Sequence, residues 1–216
     1  VPHRRKGVPH RRKGIARPRP LAANLPLMTT PPESAAHPRF AEALRERGLQ
    51  ELIAEVRHFP ESTRTAVEAA AAVGCELSQI CKSLVFAVWG SPLLEHDRKP
   101  GEGETGEGKA EEGVPVLVLV DGASRVDLER VREELGARKV ARARADVVRE
   151  TTGYAIGGVP PFGHRTRTRV LADRALLDHD VVWAAAGTPY TVFPMDPKEL
   201  VAQAGGALVD VRERTA

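Results

Sequence analysis

Residues 83–89 read Ser-Leu-Val-Phe-Ala-Val-Trp, an apolar run of strand length that decides the fold of this chain. A second run, Val-Pro-Val-Leu-Val-Leu-Val, occupies residues 114–120. Short apolar runs rich in β-branched and aromatic residues are typical of buried strands. Because buried strands need each other to form a sheet, we expect both in one domain. Residues 97–113, rich in Gly, Glu and Lys, are then a flexible insertion between them.

Around these runs, caps and apolar spacing predict further helices and strands. Helices are expected over 37–48, from a cap at Ser62 or Thr63 to Gly74, over 127–135, over 145–151, and from Asp196-Pro197 through Val201. Strands are expected over 52–59, near 139–140, and over 168–172, 181–186, 190–193 and 207–211. This pattern predicts an α/β or α+β domain built on a mixed sheet.

The first 27 residues differ from the rest in charge. They hold eight Lys and Arg and no acid, and Val-Pro-His-Arg-Arg-Lys-Gly occurs at both 1–7 and 8–14. Without these eight charges the formal net charge of +3 becomes −5, so nucleic-acid affinity needs a local patch or this tail. We expect residues 1–36 to be a disordered basic tail. It is either an electrostatic arm for RNA or, as favoured here, sequence upstream of a natural start at Met28.

Length and composition exclude several classes of protein. The 216 residues, 42% of them hydrophobic, suit one domain over 37–216. No apolar run is long enough to cross a bilayer or form a signal-peptide core. Cys75 and Cys81 form no CxxC pair, so we expect no metal, no cofactor and reduced thiols in the cytoplasm. A nucleophilic Cys stays an alternative to a small buried thiol.

Familiar hydrolase motifs are missing from the sequence. It contains no G-x-S-x-G elbow, no H-E-x-x-H helix and no Walker loop. We therefore expect chemistry without a covalent intermediate on the protein.

Residues 152–164 read Thr-Gly-Tyr-Ala-Ile-Gly-Gly-Val-Pro-Pro-Phe-Gly-His. Glycine lets a ligand approach the main chain, and the two prolines restrict the backbone that follows. This composition favours a loop that holds backbone N–H groups toward a ligand. An ordinary connection between a helix and a strand is the alternative.

Cations flank both the first strand and this loop. Lys82 directly precedes the apolar run, where it is either a fixed cation for a phosphate or carbonyl oxygen, or a lysine that reaches from the strand end to water. Basic residues precede the loop at Arg138, Lys139, Arg142 and Arg144 and follow it at Arg165, Arg167 and Arg169. The alternate spacing of the last three predicts one strand face, either for a polyanion or for solvent.

Four segments, taken in order, resemble the YbaK/ProX family. They are residues 79–86, 116–122, 135–140 and 152–163. The family comprises freestanding aminoacyl-tRNA deacylases and the editing insertion of bacterial prolyl-tRNA synthetases. The resemblance implies a single editing domain whose mixed, partly barrel-like sheet is flanked by helices. It also implies hydrolysis of the ester that joins a wrong amino acid to tRNA, with tRNA of prolyl-tRNA synthetase favoured as substrate and that synthetase as a partner.

The resemblance also implies roles for residues. Lys82 and Gly157 are the expected catalytic residues, Lys82 holding the terminal phosphate or the carbonyl region. The implied substrate-binding residues are Thr65, Gly158, Val159, Pro160, Pro161, Phe162, Gly163, His164, Ala186 and Gly187. The implied tRNA-binding residues are Arg138, Lys139, Arg142, Arg165 and Arg167. For His164 a contact to ribose or phosphate is expected, and a general base or an exposed loop residue are the alternatives.

Two departures from the family leave the edited amino acid open. Cysteine-specific members carry a Ser-Gly-Gly-like turn where this chain has Ala186-Gly187-Thr188, and an aromatic wall where Thr65 stands. Cysteine, alanine or another small amino acid are therefore all candidates. Two other functions stay open on the same residues: a non-catalytic tRNA-binding or synthetase-associated module, and a hydrolase of a small nucleotide ester.

Overall fold

The computed structural model describes residues 35–97 and 113–214, and the expectations for the tail and for most of the insertion lie outside them. The helices of this part are α1 (Pro38–Glu46), α2 (Leu52–Glu55), α3 (Ala66–Val73), α4 (Leu128–Glu134), α5 (Ala145–Thr152) and α6 (Pro197–Ala204). The strands are β1 (Arg57–His58), β2 (Ile80–Trp89), β3 (Val114–Asp121), β4 (Lys139–Arg142), β5 (Arg169–Asp173), β6 (Val182–Ala185), β7 (Thr191–Met195) and β8 (Gly206–Val209). None of these helices has the length and apolar character needed to cross a bilayer.

All eight strands join one sheet in the order β1-β7-β6-β2-β3-β5-β8, with β4 also paired to β2. The central pair β2 and β3 is antiparallel, from Cys81 opposite Asp121 to Val88 opposite Val114. β6 runs parallel to β2, and β5 runs parallel to β3 and to β8. The predicted mixed sheet, with the two apolar runs at its centre, is confirmed.

Both faces of the sheet are covered. On β3, Leu117 and Leu119 pack into a cluster with α1 and Phe162, whereas Val116 and Val118 pack into a second cluster with α4. All four β3 side chains are fully buried. Burying an aliphatic side chain of this size contributes about 1.5–3 kcal/mol. Continuous burial explains why β3 reads as an uninterrupted apolar run and not as an alternating one.

Most predicted helix ends are confirmed by cap geometry. Asp127 and Asp196 cap α4 and α6 with their carboxylates, and Gly74 ends α3 in the left-handed conformation. The predicted cap at Ser62 or Thr63 is wrong, because Thr65 caps α3. Its hydroxyl accepts from the Glu68 amide, and the Glu68 side chain accepts in return from the Thr65 amide.

Two strand predictions are also wrong. Residues 52–59 form the single turn α2 followed by β1, because Leu52 and Ile53 pack against the buried cluster of α1 and only two residues reach β7. Short apolar runs do not distinguish a strand from a buried helical turn. Arg165 and Arg167 do not share a strand face with Arg169, because β5 begins at Arg169.

Candidate functional site

A cavity of about 330 Å³ opens where the sheet is interrupted beside β2. One edge of β2 is paired with β3 throughout, while the other pairs with β6 at residues 80–81 and with β4 at residues 86–89. The main chain of residues 82–84 therefore faces a gap between β6 and β4, and the Ala143 amide donates to the Val85 carbonyl at 3.1 Å at the β4 end of this gap. The polar and loop residues lining the cavity are Thr63, Arg64, Thr65, Cys81, Lys82, Ser83, Arg142, Ile156, Gly157 and Val159. Its volume is that of a small-ligand site.

The Lys82 ammonium is held by main-chain carbonyls of the turn that follows β3. Its Nζ donates to the Gly122 carbonyl at 3.0 Å and also to the Ser124 carbonyl. Burial lowers the pKa of the Lys82 ammonium, the Asp121 carboxylate opposes this shift, and the Arg142 and Arg125 charges reinforce it. An ammonium has three donors, so two fixed carbonyls orient it and leave one N–H for a ligand.

Asp121 builds the turn that supplies those carbonyls. It ends β3, and its carboxylate accepts from the Ala123 amide at 2.8 Å, the Ser124 amide at 2.9 Å and the Ser124 hydroxyl at 2.6 Å. A Cβ on Gly122 would overlap the Leu77 carbonyl, so glycine is required there. Asp121 and Ser124 were not among the residues expected at the site. The Asp-Gly turn directly after a strand was the signal for them.

The glycine-rich loop, residues 153–164, is a closed Ω-shaped excursion. Its ends are joined by hydrogen bonds from the Arg165 amide to the Thr152 carbonyl and from the Thr166 amide to the Thr151 carbonyl, both at 3.0 Å. Inside the loop, the Tyr154 hydroxyl donates to the Gly163 carbonyl at 2.9 Å. Burial raises the pKa of Tyr154, so this phenol stays a donor. These contacts give the loop one defined shape.

Gly157 and Gly158 bring the loop backbone against its neighbours. Gly157 has φ +88°, and a Cβ there would overlap the Arg64 side chain. A Cβ on Gly158 would lie 2.8 Å from the Thr188 carbonyl carbon. Gly157 lines the cavity, and the Gly158 amide donates to the Ala155 carbonyl at 2.9 Å. Both glycines are thus required by space, and Gly157 also by its conformation.

The second half of the loop turns away from the cavity. Val159 lines the cavity, whereas Pro160, Pro161 and Phe162 are buried, and Phe162 packs against Phe40 and Phe193.

His164 also belongs to the loop interior. Its Nε2 lies 2.8 Å from the Pro160 carbonyl, and because a carbonyl only accepts, this nitrogen carries the proton. Burial lowers the pKa of His164, so the neutral ring is favoured. The contact closes the loop on itself and is not directed at the cavity.

The residues expected to form the acyl pocket lie in two places. Thr65 lines the cavity while it caps α3, and Ala185 of β6 lines it as well. Ala186 accepts from the His37 amide through its carbonyl at 3.0 Å, and Gly187, with φ +101°, packs against the His37 side chain. The turn after β6 therefore contacts the start of α1 and does not line the cavity.

The basic residues are distributed around the site. Arg142 is exposed at the end of β4 and lines the cavity. Lys139, at the start of β4, lies over the Trp89 ring at 4.9 Å from its centroid. Arg165 and Arg167 are exposed beyond the loop. The structure brings Arg142 into the cavity and leaves the other candidates on the surrounding surface.

A second, outer groove adjoins the cavity and shares Arg64 and Ile156 with it. It measures about 620 Å³ and is further lined by Ser62, Ala145, Asp146, Arg149, Ala155, Pro189 and Tyr190. Tyr190 and Ile156 are among the exposed large side chains of the described residues. Exposed aromatic surface beside arginines suits a nucleotide.

Cys81 lines the cavity but is a poor nucleophile. It is buried, and its burial, assisted by Asp121, raises the pKa of the thiol to about 12. A thiol with this pKa carries almost no thiolate at neutral pH. In residues 35–97 and 113–214, no three His, Cys, Asp or Glu side chains are grouped to hold a metal ion.

A family model, a relative and two solved structures resemble this chain over most of its length. A family model described as the aminoacyl-tRNA editing domain matches residues 60–202. YwhH of Bacillus subtilis (strain 168), an uncharacterised protein, is 30% identical over 146 residues, which are 68% of this chain and 78% of YwhH. A solved candidate trans-editing enzyme for prolyl-tRNA synthetase is 41% identical, with a TM-score of 0.66 over 82% of this chain and 96% of that one. A structure from work on epitope backbone grafting to scaffold proteins is 36% identical, with the same TM-score and coverage.

Proposed function

Because the chain belongs to the aminoacyl-tRNA editing domain family, we propose that it hydrolyses the ester of mischarged aminoacyl-tRNA and acts in trans, with residues 37–216 as its editing domain. The relative described as a candidate trans-editing enzyme supports this, and it makes tRNA of prolyl-tRNA synthetase the proposed substrate. That synthetase is then the proposed partner, and the cytoplasm the proposed location. The reaction consumes water and uses no cofactor.

One observation carries the proposal. Lys82 and Gly157, which are distant in sequence, line a single cavity together with Arg142. A fixed ammonium, a backbone amide and a guanidinium are the donors that stabilise the negative charge developing on an ester carbonyl. No protein nucleophile is needed, because an aminoacyl ester is already activated.

The proposed mechanism follows from these donors. A water, hydrogen-bonded to the neighbouring ribose hydroxyl, attacks the ester carbonyl; a tetrahedral oxyanion forms, and the proton that the water loses is the one that the departing ribose oxygen takes up. The remaining N–H of Lys82 and the backbone of Gly157 stabilise this oxyanion. The C–O bond to the ribose then breaks, the ribose oxygen takes up a proton, and the free amino acid and tRNA leave. Positioning and charge stabilisation account for the catalysis.

The size of the cavity favours a small acyl group. Thr65 gives it a short wall, and about 330 Å³ must hold the acyl group with part of the ribose. Cysteine, alanine or another small amino acid is therefore the proposed side chain, and discrimination between them is limited to the roughly 10- to 200-fold that a methylene provides.

The rest of the tRNA end would lie over the outer groove. That groove shares Arg64 and Ile156 with the cavity and offers Arg149 and Tyr190 to a phosphate and a base. Arg138, Lys139, Arg165 and Arg167 are proposed to contact the phosphate backbone farther out. Contacts of this kind weaken steeply as salt concentration rises.

The test compares wild-type protein, Lys82→Ala and Lys198→Ala on a panel of mischarged tRNAs. Lys198 is an exposed lysine of α6 outside the cavity and serves as the matched control. We expect kcat/KM of Lys82→Ala to fall by about 100- to 1,000-fold, as for removal of one oxyanion donor, and that of Lys198→Ala to stay unchanged. Binding without ester loss in the wild type would instead indicate a non-catalytic tRNA-binding module. Equal activity in Lys82→Ala would remove the role assigned to Lys82.

A further inference from the structure

Ser83 carries the least satisfied polar group of the cavity. Among the side-chain oxygen and nitrogen atoms that are buried in the described residues, Ser83 Oγ alone has no hydrogen-bond partner. Ser83 follows Lys82 on β2, at the gap in the sheet, and lines the cavity. Buried hydroxyls without a partner are rare in proteins because they are costly, and each one needs an explanation.

The other hydroxyls lining the cavity are already engaged. Thr63 Oγ1 donates to the Pro189 carbonyl at 3.1 Å, and Thr65 Oγ1 accepts from the Glu68 amide at 3.2 Å. Both bonds hold the segment that leads into α3. Of the three hydroxyls, that of Ser83 is buried and is the one without a partner inside the protein.

The charges of the cavity indicate which part of a ligand Ser83 would meet. The charged side chains that line it are Arg64, Lys82 and Arg142, all cationic, and no acid is among the described lining residues. Ester and phosphate oxygens are satisfied by these donors. A donor group on the ligand instead needs a neutral acceptor, and the Ser83 oxygen provides one.

The esterified amino acid has such a donor in its α-amino group. Nearby cations disfavour the ammonium form, so they favour binding of the neutral amine, which still donates. We propose that the Ser83 hydroxyl accepts a hydrogen bond from the α-amino group of the esterified amino acid, a proposal that rests on the proposed function. Ser83 then selects aminoacyl esters over acyl esters that lack the amine.

The experiment is a cycle of two proteins and two substrates. Wild type and Ser83→Ala are assayed on the aminoacyl-tRNA that wild type hydrolyses fastest and on its desamino analogue, for example alanyl- and propionyl-tRNA. We expect Ser83→Ala to lower kcat/KM about tenfold on the aminoacyl ester, as for loss of one hydrogen bond, and less than about twofold on the desamino ester. Ser83→Thr, which keeps the hydroxyl, should restore most of the activity.

Thr63→Val is the matched control, because it removes a lining hydroxyl that is engaged within the protein. It should affect both substrates equally. If Ser83→Ala lowers kcat/KM equally on both substrates, Ser83 has a structural role. If it lowers kcat/KM on neither, the Ser83 oxygen meets water and not the substrate. Either result overturns the inference.

A binding assay separates this inference from the proposed function. The Kd values of 3′-aminoacylamino- and 3′-propionylamino-adenosine, which are not hydrolysed as esters, are measured for wild type and Ser83→Ala. We expect about a tenfold weaker Kd for the aminoacyl compound alone. If wild type shows this binding pattern but does not hydrolyse any ester, the proposed deacylase activity is refuted and the proposed Ser83 contact is supported. An unchanged Kd for both compounds would sink the contact.

Discussion

Gly158→Ala tests whether the glycine-rich loop positions the substrate. A Cβ on Gly158 lies 2.8 Å from the carbonyl carbon of Thr188 and 2.9 Å from its Cα. Ordinary contacts begin at 3.4 Å, so the loop and the Thr188 segment must separate by about 0.6 Å. Because both partners are backbone, no change of rotamer relieves the overlap.

Overpacking of this kind costs about 1–3 kcal/mol in the free energy of unfolding. In a chain of this size, that lowers Tm by roughly 2–12 °C, which a thermal melt followed by circular dichroism would measure. The variant should also lose activity while it is still folded. A misplacement near 1 Å costs up to about 100-fold, so we expect kcat/KM on mischarged tRNA to fall about tenfold at a temperature where the variant is folded.

Gly206→Ala is the matched control for this variant. Gly206 begins β8 at the opposite edge of the sheet, and a Cβ there would meet only side-chain atoms, at 3.3 Å or more. It should keep the wild-type kcat/KM. The positioning role of the loop is refuted if folded Gly158→Ala retains full kcat/KM, or if Gly206→Ala loses as much.

Three further outcomes follow from buried groups near the site. Tyr154→Phe leaves the Gly163 carbonyl without its donor and should lower Tm by roughly 2–4 °C for a loss of about 1 kcal/mol; an unchanged melt would contradict this. Cys81, with its pKa raised to about 12, should resist iodoacetamide at pH 8 in the folded protein and react after unfolding, as mass spectrometry of the labelled peptide would show. Burial lowers the pKa of His164 below 6.5 in the folded protein. As the pH falls below 6.5, the unfolded state therefore binds a proton that the folded state does not. The contribution of the neutral His164 to the free energy of unfolding is present above pH 6.5 and is lost as the pH falls through the folded pKa. Therefore the Tm gap between wild type and His164→Gln should narrow below pH 6.5, and a gap constant from pH 5 to 8 would contradict the lowering of the His164 pKa by burial.

Local signals in the sequence were sufficient for most of the fold. β2 and β3 follow from two apolar runs, and the ends of α4 and α6 from an aspartate placed before each helix. The segment 52–59 was mispredicted because four residues of helix and two of strand are too short for any periodicity to appear. The neighbours of such a segment, here the cluster around α1, decide its conformation.

The sequence by itself determined that a lysine precedes the central strand and that a glycine-rich loop follows α5. Only the tertiary structure decided what each of them meets. The pairing of β2 with β3 brings the Asp121 turn to Lys82, and the packing around β2 leaves the buried Ser83 hydroxyl without a partner. Closure of the glycine-rich loop turns His164 inward to the Pro160 carbonyl. The physical reason is that a side chain's hydrogen-bond partners are set by strand register and loop closure over long sequence separations, whereas propensity and periodicity report only on near neighbours.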